Sequence, residues 1–147
     1  MSKKQSYFMN CAVEISNGSN CIKGKVGAVL VKNQKIIAEG VNNVPNGIKP
    51  CTNKTCLRIK LNLKSGENQE LCYVVHAEQN ALLDALNRQI NVKGSTLYVN
   101  KQPCIICSKL LINAGIKKIY YLEPYPDKYS LKMLKEAGVE VTQYIGE

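Results

Sequence analysis

The apolar residues Tyr7, Phe8, Cys11, Ala12 and Ile15 recur at spacings of one, three and four, the period of one helical face, and Asn17-Gly18 ends the run. Two short apolar runs follow, 26–31 (VGAVLV) and 36–41 (IIAEGV), separated by Lys32-Asn33-Gln34-Lys35. That pattern predicts two core strands in an antiparallel hairpin. The stretch 42–69 is polar, carries Pro45, Gly47, Pro50 and Gly66, and is long for a structureless loop, so it needs an anchor or a function. The rest alternates: a helix over 76–89, a strand over 95–100, a helix over 103–114 stopped by Gly115, a strand over 116–122, a helix over 130–137 stopped by Gly138, and a strand over 139–145. Such alternation predicts parallel strands with crossover helices packed on the sheet. The expectation is one domain over 1–147, a three-layer α/β/α fold around a mixed sheet of about five strands.

Composition narrows the class. A chain of 147 residues that is 45% apolar and 21% charged can bury one core and is too short for two ordinary domains. No run approaches the roughly 18 apolar residues of a membrane helix. The start, Met1-Ser2-Lys3-Lys4-Gln5-Ser6, lacks the apolar region of a secretory signal, so a soluble cytoplasmic protein is expected. The formal charge is +9, yet Arg58 and Arg88 are the only arginines among the 20 basic residues. Scattered lysines mostly make a solvated surface, and the excess favours anionic ligands only weakly. Seven cysteines and one histidine complete the picture, and in a reducing compartment that many thiols points to metal rather than disulfides.

Two segments carry candidate chemistry, His76-Ala77-Glu78 and Pro103-Cys104-Ile105-Ile106-Cys107, each opening a predicted helix. A 14-residue helix runs about 21 Å from its start, and a six-residue strand returns about 20 Å. The two helix N-termini therefore end side by side. Cys104 and Cys107 are expected on one helix face, with Pro103 in the first turn. His76, Cys104 and Cys107 supply one imidazole and two thiolates, the ligand count of a catalytic zinc that keeps a fourth position for water and lowers that water's pKa to about 7. Glu78 would point about 200° from His76 on an ideal helix, so both reach the metal only if the helix is just beginning there. Placed so, Glu78 takes the water's proton and hands it to a nitrogen of the substrate.

His-Ala-Glu followed by Pro-Cys-x-x-Cys is the zinc-deaminase signature. The chain resembles the deoxycytidylate (dCMP) deaminase family of the cytidine deaminase-like superfamily, including the bacterial deaminase-like proteins of competence operons. The likeness is carried by 26–31, 40–47 (GVNNVPNG), 76–81 (HAEQNA) and 111–117 (LINAGIK). It implies a cytidine deaminase-like fold and hydrolysis of dCMP to dUMP and ammonia, with zinc hydroxide attacking C4 and Glu78 as proton shuttle. It also implies substrate contacts at Asn42 and Ala77, a homo-oligomer, and effects of dCTP and dTTP. The family usually has an aromatic residue and then Asn-Gly where this chain has Val41-Asn42-Asn43, which bears on the sugar contacts more than on the chemistry.

Of the remaining cysteines, Cys21, Cys51, Cys56 and Cys72 flank or occupy the polar segment, and four thiolates would close a second, structural zinc site that pins it. Several family members resemble this in carrying a second zinc nearby. The competing reading is buried free thiols; Cys11 reads as core. For a substrate phosphate, Lys23 is the first candidate, at a position where family members often carry Arg, and Lys25 the second. Tyr125 follows a predicted strand, where sites form in parallel α/β sheets. Other cytosine nucleotides or nucleosides remain alternatives, as does a base in tRNA or single-stranded nucleic acid. Against nucleic acid stand two arginines, no tryptophan and one phenylalanine. A non-enzymatic module would not need Glu78.

Overall fold

The computed structural model describes residues 2–146. Helix α1 (Lys3–Ser16) begins a turn before the apolar period does, because Ser2 caps it. Gln5 N–H donates to Ser2 Oγ at 3.2 Å, and Ser2 N–H donates to Gln5 Oε1 at 3.0 Å. Strands β1 (Gly27–Lys32) and β2 (Lys35–Val41) form the expected hairpin around Asn33 (φ 51°) and Gln34 (φ 61°), both in the left-handed region that two-residue hairpin loops require. The alternating elements follow as α3 (Ala77–Asn87), β3 (Thr96–Lys101), α4 (Ile105–Asn113), β4 (Lys118–Glu123), α5 (Lys128–Glu136) and β5 (Glu140–Gln143). The polar segment is not structureless: it contains the one-turn helix α2 (Leu57–Lys60) and a 3-10 turn, Gln69–Leu71.

The five strands lie in the order β2-β1-β3-β4-β5, with β1 antiparallel to β2 and β3, and with β3, β4 and β5 parallel. Because side chains alternate along a strand, β1 and β3 feed two cores. Ala28, Leu30, Leu97 and Val99 pack with Ala77 and Ala81 of α3, Leu111 of α4 and Leu134 of α5. On the opposite face Val29, Val31 and Tyr98 pack against Phe8, Met9 and Ala12 of α1. The layers are uneven, three helices against one. Among the described residues no helix is long and apolar enough to cross a membrane.

Two features aim the elements that carry the chemistry. A Cβ at Gly40 would stand 2.3 Å from Ala81 N and 2.5 Å from Ala77 O, so glycine lets α3 lie backbone against backbone on β2. Helix α4 starts at Ile105, later than the spacing predicts: Cys104 is the N-cap, in extended backbone (φ −76°, ψ 171°), and Pro103 precedes the helix instead of opening its first turn. The last strand also ends at Gln143 rather than 145, where its pairing with β4 stops.

Candidate active site

Glu78 and His76 sit at a helix start, as their two-residue spacing demands. His76 is the N-cap of α3, with extended backbone (φ −67°, ψ 154°), and its N–H donates to Gln79 Oε1 at 2.8 Å. The break in helical phase at residue 76 turns its ring and the Glu78 carboxylate toward one place. Asn80 ties the same turn to the sheet by donating from Nδ2 to Val41 O at 2.7 Å.

His76 Nδ1 lies 3.5 Å from Cys104 Sγ and 3.3 Å from Cys107 Sγ. A tetrahedral zinc with bonds of about 2.1 Å to nitrogen and 2.3 Å to sulfur separates those atoms by about 3.6 Å, so the three residues fit zinc with little movement. Glu78 Oε2 is 3.7 Å from Cys107 Sγ, adjacent to the cluster, but among the described residues only the ligand atoms of His76, Cys104 and Cys107 all lie within 4.8 Å of one another. Glu78, Cys104 and Cys107 are buried and His76 is partly so.

Burial raises the Glu78 carboxyl above its ordinary range, against the opposing pull of His76. The two thiols behave as a pair. Hydrogen bonding with Cys107, and then with His76, holds Cys104 down to about 4 against the effect of burial, while the same partnership and its own burial push Cys107 up. His76 is raised, chiefly by its hydrogen bond with Cys104. Imidazole nitrogen and thiol sulfur are the donor types zinc prefers, and the lowered Cys104 thiol favours its metal-binding form.

His76 and Cys104 of this cluster, with Glu78, form part of the wall of a cavity of about 450 Å³. Lys23, Asn42, Ala77 and Tyr125 all line it; Lys25 does not, and its ammonium reaches Asn17 O at 3.4 Å instead. Arg58, Lys64, Lys101, Gln69 and Gln102 line the cavity too, and no motif or spacing points to them. Gln69 Nε2 donates to the Tyr125 hydroxyl at 2.6 Å, joining the polar segment to the loop after β4. The residues lining the cavity thus include four basic ones, Lys23, Arg58, Lys64 and Lys101, and one acidic one, Glu78.

Cys21, Cys51, Cys56 and Cys72 surround a separate cavity of about 20 Å³, room for one water-sized body. Among the described residues, however, no three of their sulfurs lie within 4.8 Å of one another, a closeness reached only by His76, Cys104 and Cys107. Cys21 and Cys72 border both cavities. Cys11 packs at the edge of the α1 core.

A family model described as the cytidine and deoxycytidylate deaminase zinc-binding region matches residues 2–123. The chain belongs to this deaminase family. Deoxycytidylate deaminase of Schizosaccharomyces pombe is 37% identical over 141 residues, covering 95% of this chain and 44% of that protein. ComE operon protein 2 of Bacillus subtilis is 34% identical over 138 residues, covering 93% of this chain and 69% of its own. The crystal structure of dCMP deaminase from the cyanophage S-TIM5 in complex with dCMP and dUMP superposes with a TM-score of 0.82 at 34% identity, over 98% of this chain and 99% of that one. The chain spans less than half the length of the S. pombe relative.

Proposed function

We propose that this chain is a zinc-dependent deaminase that hydrolyses dCMP to dUMP and ammonia. The observation that carries the reading is the buried Glu78 carboxylate beside the His76, Cys104 and Cys107 cluster, in a cavity with four lining cations. The similarity to the cyanophage enzyme solved with dCMP and dUMP supports the choice of base and sugar.

Zinc held by His76, Cys104 and Cys107 would supply the Lewis acidity that makes water nucleophilic at neutral pH. Glu78 accepts a proton from the attacking water as its oxygen bonds to C4, and passes it to N3 of the base. The second water proton travels by the same carboxylate to the 4-amino nitrogen; the C4–N4 bond then breaks, ammonia leaves, and a carbonyl remains at C4. Burial suits Glu78 to this shuttle, because a raised carboxyl holds a proton more readily. Lys23, Arg58, Lys64 and Lys101 draw a phosphate-bearing substrate into the cavity. Asn42 donates from Nδ2 to Gly24 O and accepts at Oδ1 from Val26 N–H, each at 2.8 Å, which shapes the 24–26 wall and leaves one N–H for the substrate. Ala77 offers a backbone N–H at the start of α3, and Tyr125 its ring or hydroxyl.

The proposal includes a second, structural zinc on Cys21, Cys51, Cys56 and Cys72, whose binding draws the four sulfurs together around their shared cavity. Burial and then the proximity of Cys56, Cys72 and Cys21 already raise the Cys51 thiol, a repulsion among thiolates that a divalent cation would relieve. Unpaired thiols suit a cytoplasmic location. The reading extends to a homo-oligomer that responds to dCTP and dTTP, as the family resemblance implies.

The test is the loss of ultraviolet absorbance with dCMP, CMP, deoxycytidine and cytidine in parallel, using zinc-loaded protein with and without dCTP or dTTP. Strong preference for dCMP is expected. Silence on all four with zinc bound would overturn the reading.

A further inference from the structure

The chain's two arginines sit in opposite electrostatic situations. Arg88 is paired with Asp84 at 2.7 Å where the end of α3 meets β2. Arg58 lines the active-site cavity, and the ion pairs among the described residues are Arg88 with Asp84 and Lys118 with Glu140, so no carboxylate there neutralises it. Its anchors are neutral instead: the guanidinium donates to Glu67 O at 2.9 Å and to Lys64 O. Two backbone carbonyls thus fix the fork in place and leave its charge and its remaining N–H donors free.

We propose that Arg58 is the specificity-determining residue of this site, the side chain that reads the substrate's phosphate and separates a nucleotide from a nucleoside. The assignment rests on the nucleotide-deaminase reading above. Among the lining cations Arg58 is the one already oriented. Lys101 lies 5.5 Å over the Tyr125 ring, and lysine in general is a point charge on a flexible stem, whereas arginine meets a phosphate with two parallel hydrogen bonds from a planar edge. Lys23 and Arg58 reach the same cavity from different segments of the chain. Arg58 is also two residues from Cys56, so whatever anchors the cysteine cluster sets the place of the phosphate reader.

Calorimetric binding of dUMP and of deoxyuridine, with kcat/KM for dCMP and deoxycytidine, compares the native protein with Arg58→Gln and Arg58→Lys. Arg58→Gln is expected to weaken dUMP and lower kcat/KM for dCMP by about 10- to 100-fold, the range for a charged hydrogen-bonded contact, with the nucleoside values held within about two-fold. Arg58→Lys should recover only part of the loss, and it serves as the informative variant if the glutamine form does not fold. Equal losses for nucleotide and nucleoside, or an unchanged ratio between them, would show that Arg58 merely braces the 64–67 turn, and would overturn the assignment. If the native protein binds dUMP no better than deoxyuridine, the nucleotide reading falls first and takes this assignment with it.

Discussion

Asp127 accepts the N–H of Ile105 at 2.8 Å, so the carboxylate that caps α5 also holds the first residue of α4. Its other oxygen accepts Ser130 N–H at 3.0 Å. Buried Gln102 reinforces the joint by donating to Asp127 O at 2.9 Å and to Ser130 Oγ at 3.1 Å. Cys104 is thereby aimed at His76 through a neighbouring residue held by an acid from the next crossover, rather than by helix propensity alone.

Replacing Asp127 with alanine removes the cap of α5 and the acceptor of the first N–H of α4 at once. A stability loss of about 1–2 kcal/mol is expected in urea denaturation, with Asp127→Asn milder. Zinc affinity, measured by competition with a chelator, should fall in the same order, because Cys104 loses its fixed direction.

Glu78→Gln keeps the shape of the carboxylate and removes its capacity to carry a proton. Turnover of dCMP should fall by about 10²- to 10⁴-fold while zinc content and dUMP binding stay at native levels. Native turnover in that variant would refute the shuttle; loss of zinc would make Glu78 a structural residue.

Asp84 joins α3 to β2, accepting from Arg88 at 2.7 Å and from Glu39 N–H at 3.0 Å. The hydrogen bond from Arg88, with that from Glu39, holds its carboxyl below the ordinary range. A group whose folded pKa is depressed stabilises fully above its unfolded pKa and loses that contribution as pH falls through the folded value. The pair is partly exposed and screened, so at neutral pH Asp84→Asn should cost only about 0.5 kcal/mol. Urea midpoints of the two proteins should converge on acidification below the ordinary aspartate range; a gap that persists there would assign the effect to packing.

Zinc analysis should return two metals per chain for the native protein and one for Cys51→Ser, with the activity toward deoxycytidine largely kept. A native value of one, with Cys51 and Cys56 readily alkylated, would identify the cluster as free thiols.

The helices and strands were legible because each has a clear apolar period, and the catalytic cluster because each half is contiguous, His76 with Glu78 and Cys104 with Cys107. The mutual placement of the halves followed from helix and strand lengths. Lys23, Asn42, Ala77 and Tyr125 were also legible as cavity residues, whereas Arg58, Lys64 and Gln69 were not: they lie in a segment with no period, placed by long-range contacts such as the Asn43–Val75 bridge and the bond from Gln69 to Tyr125. Helix α4 starts two positions after Pro103, since the preference for proline near a helix start does not distinguish the first turn from the residue before the cap.

The contact at Gly40 means that part of the catalytic geometry is encoded by an atom the chain lacks. A library selected for deaminase activity would score position 40 as nearly invariant although it bears no functional group and touches no ligand of the cluster. Even alanine there would push α3 off β2, and because the crowded atoms are backbone, no side-chain change in α3 removes the clash, so inactive clones at this position should yield few suppressors.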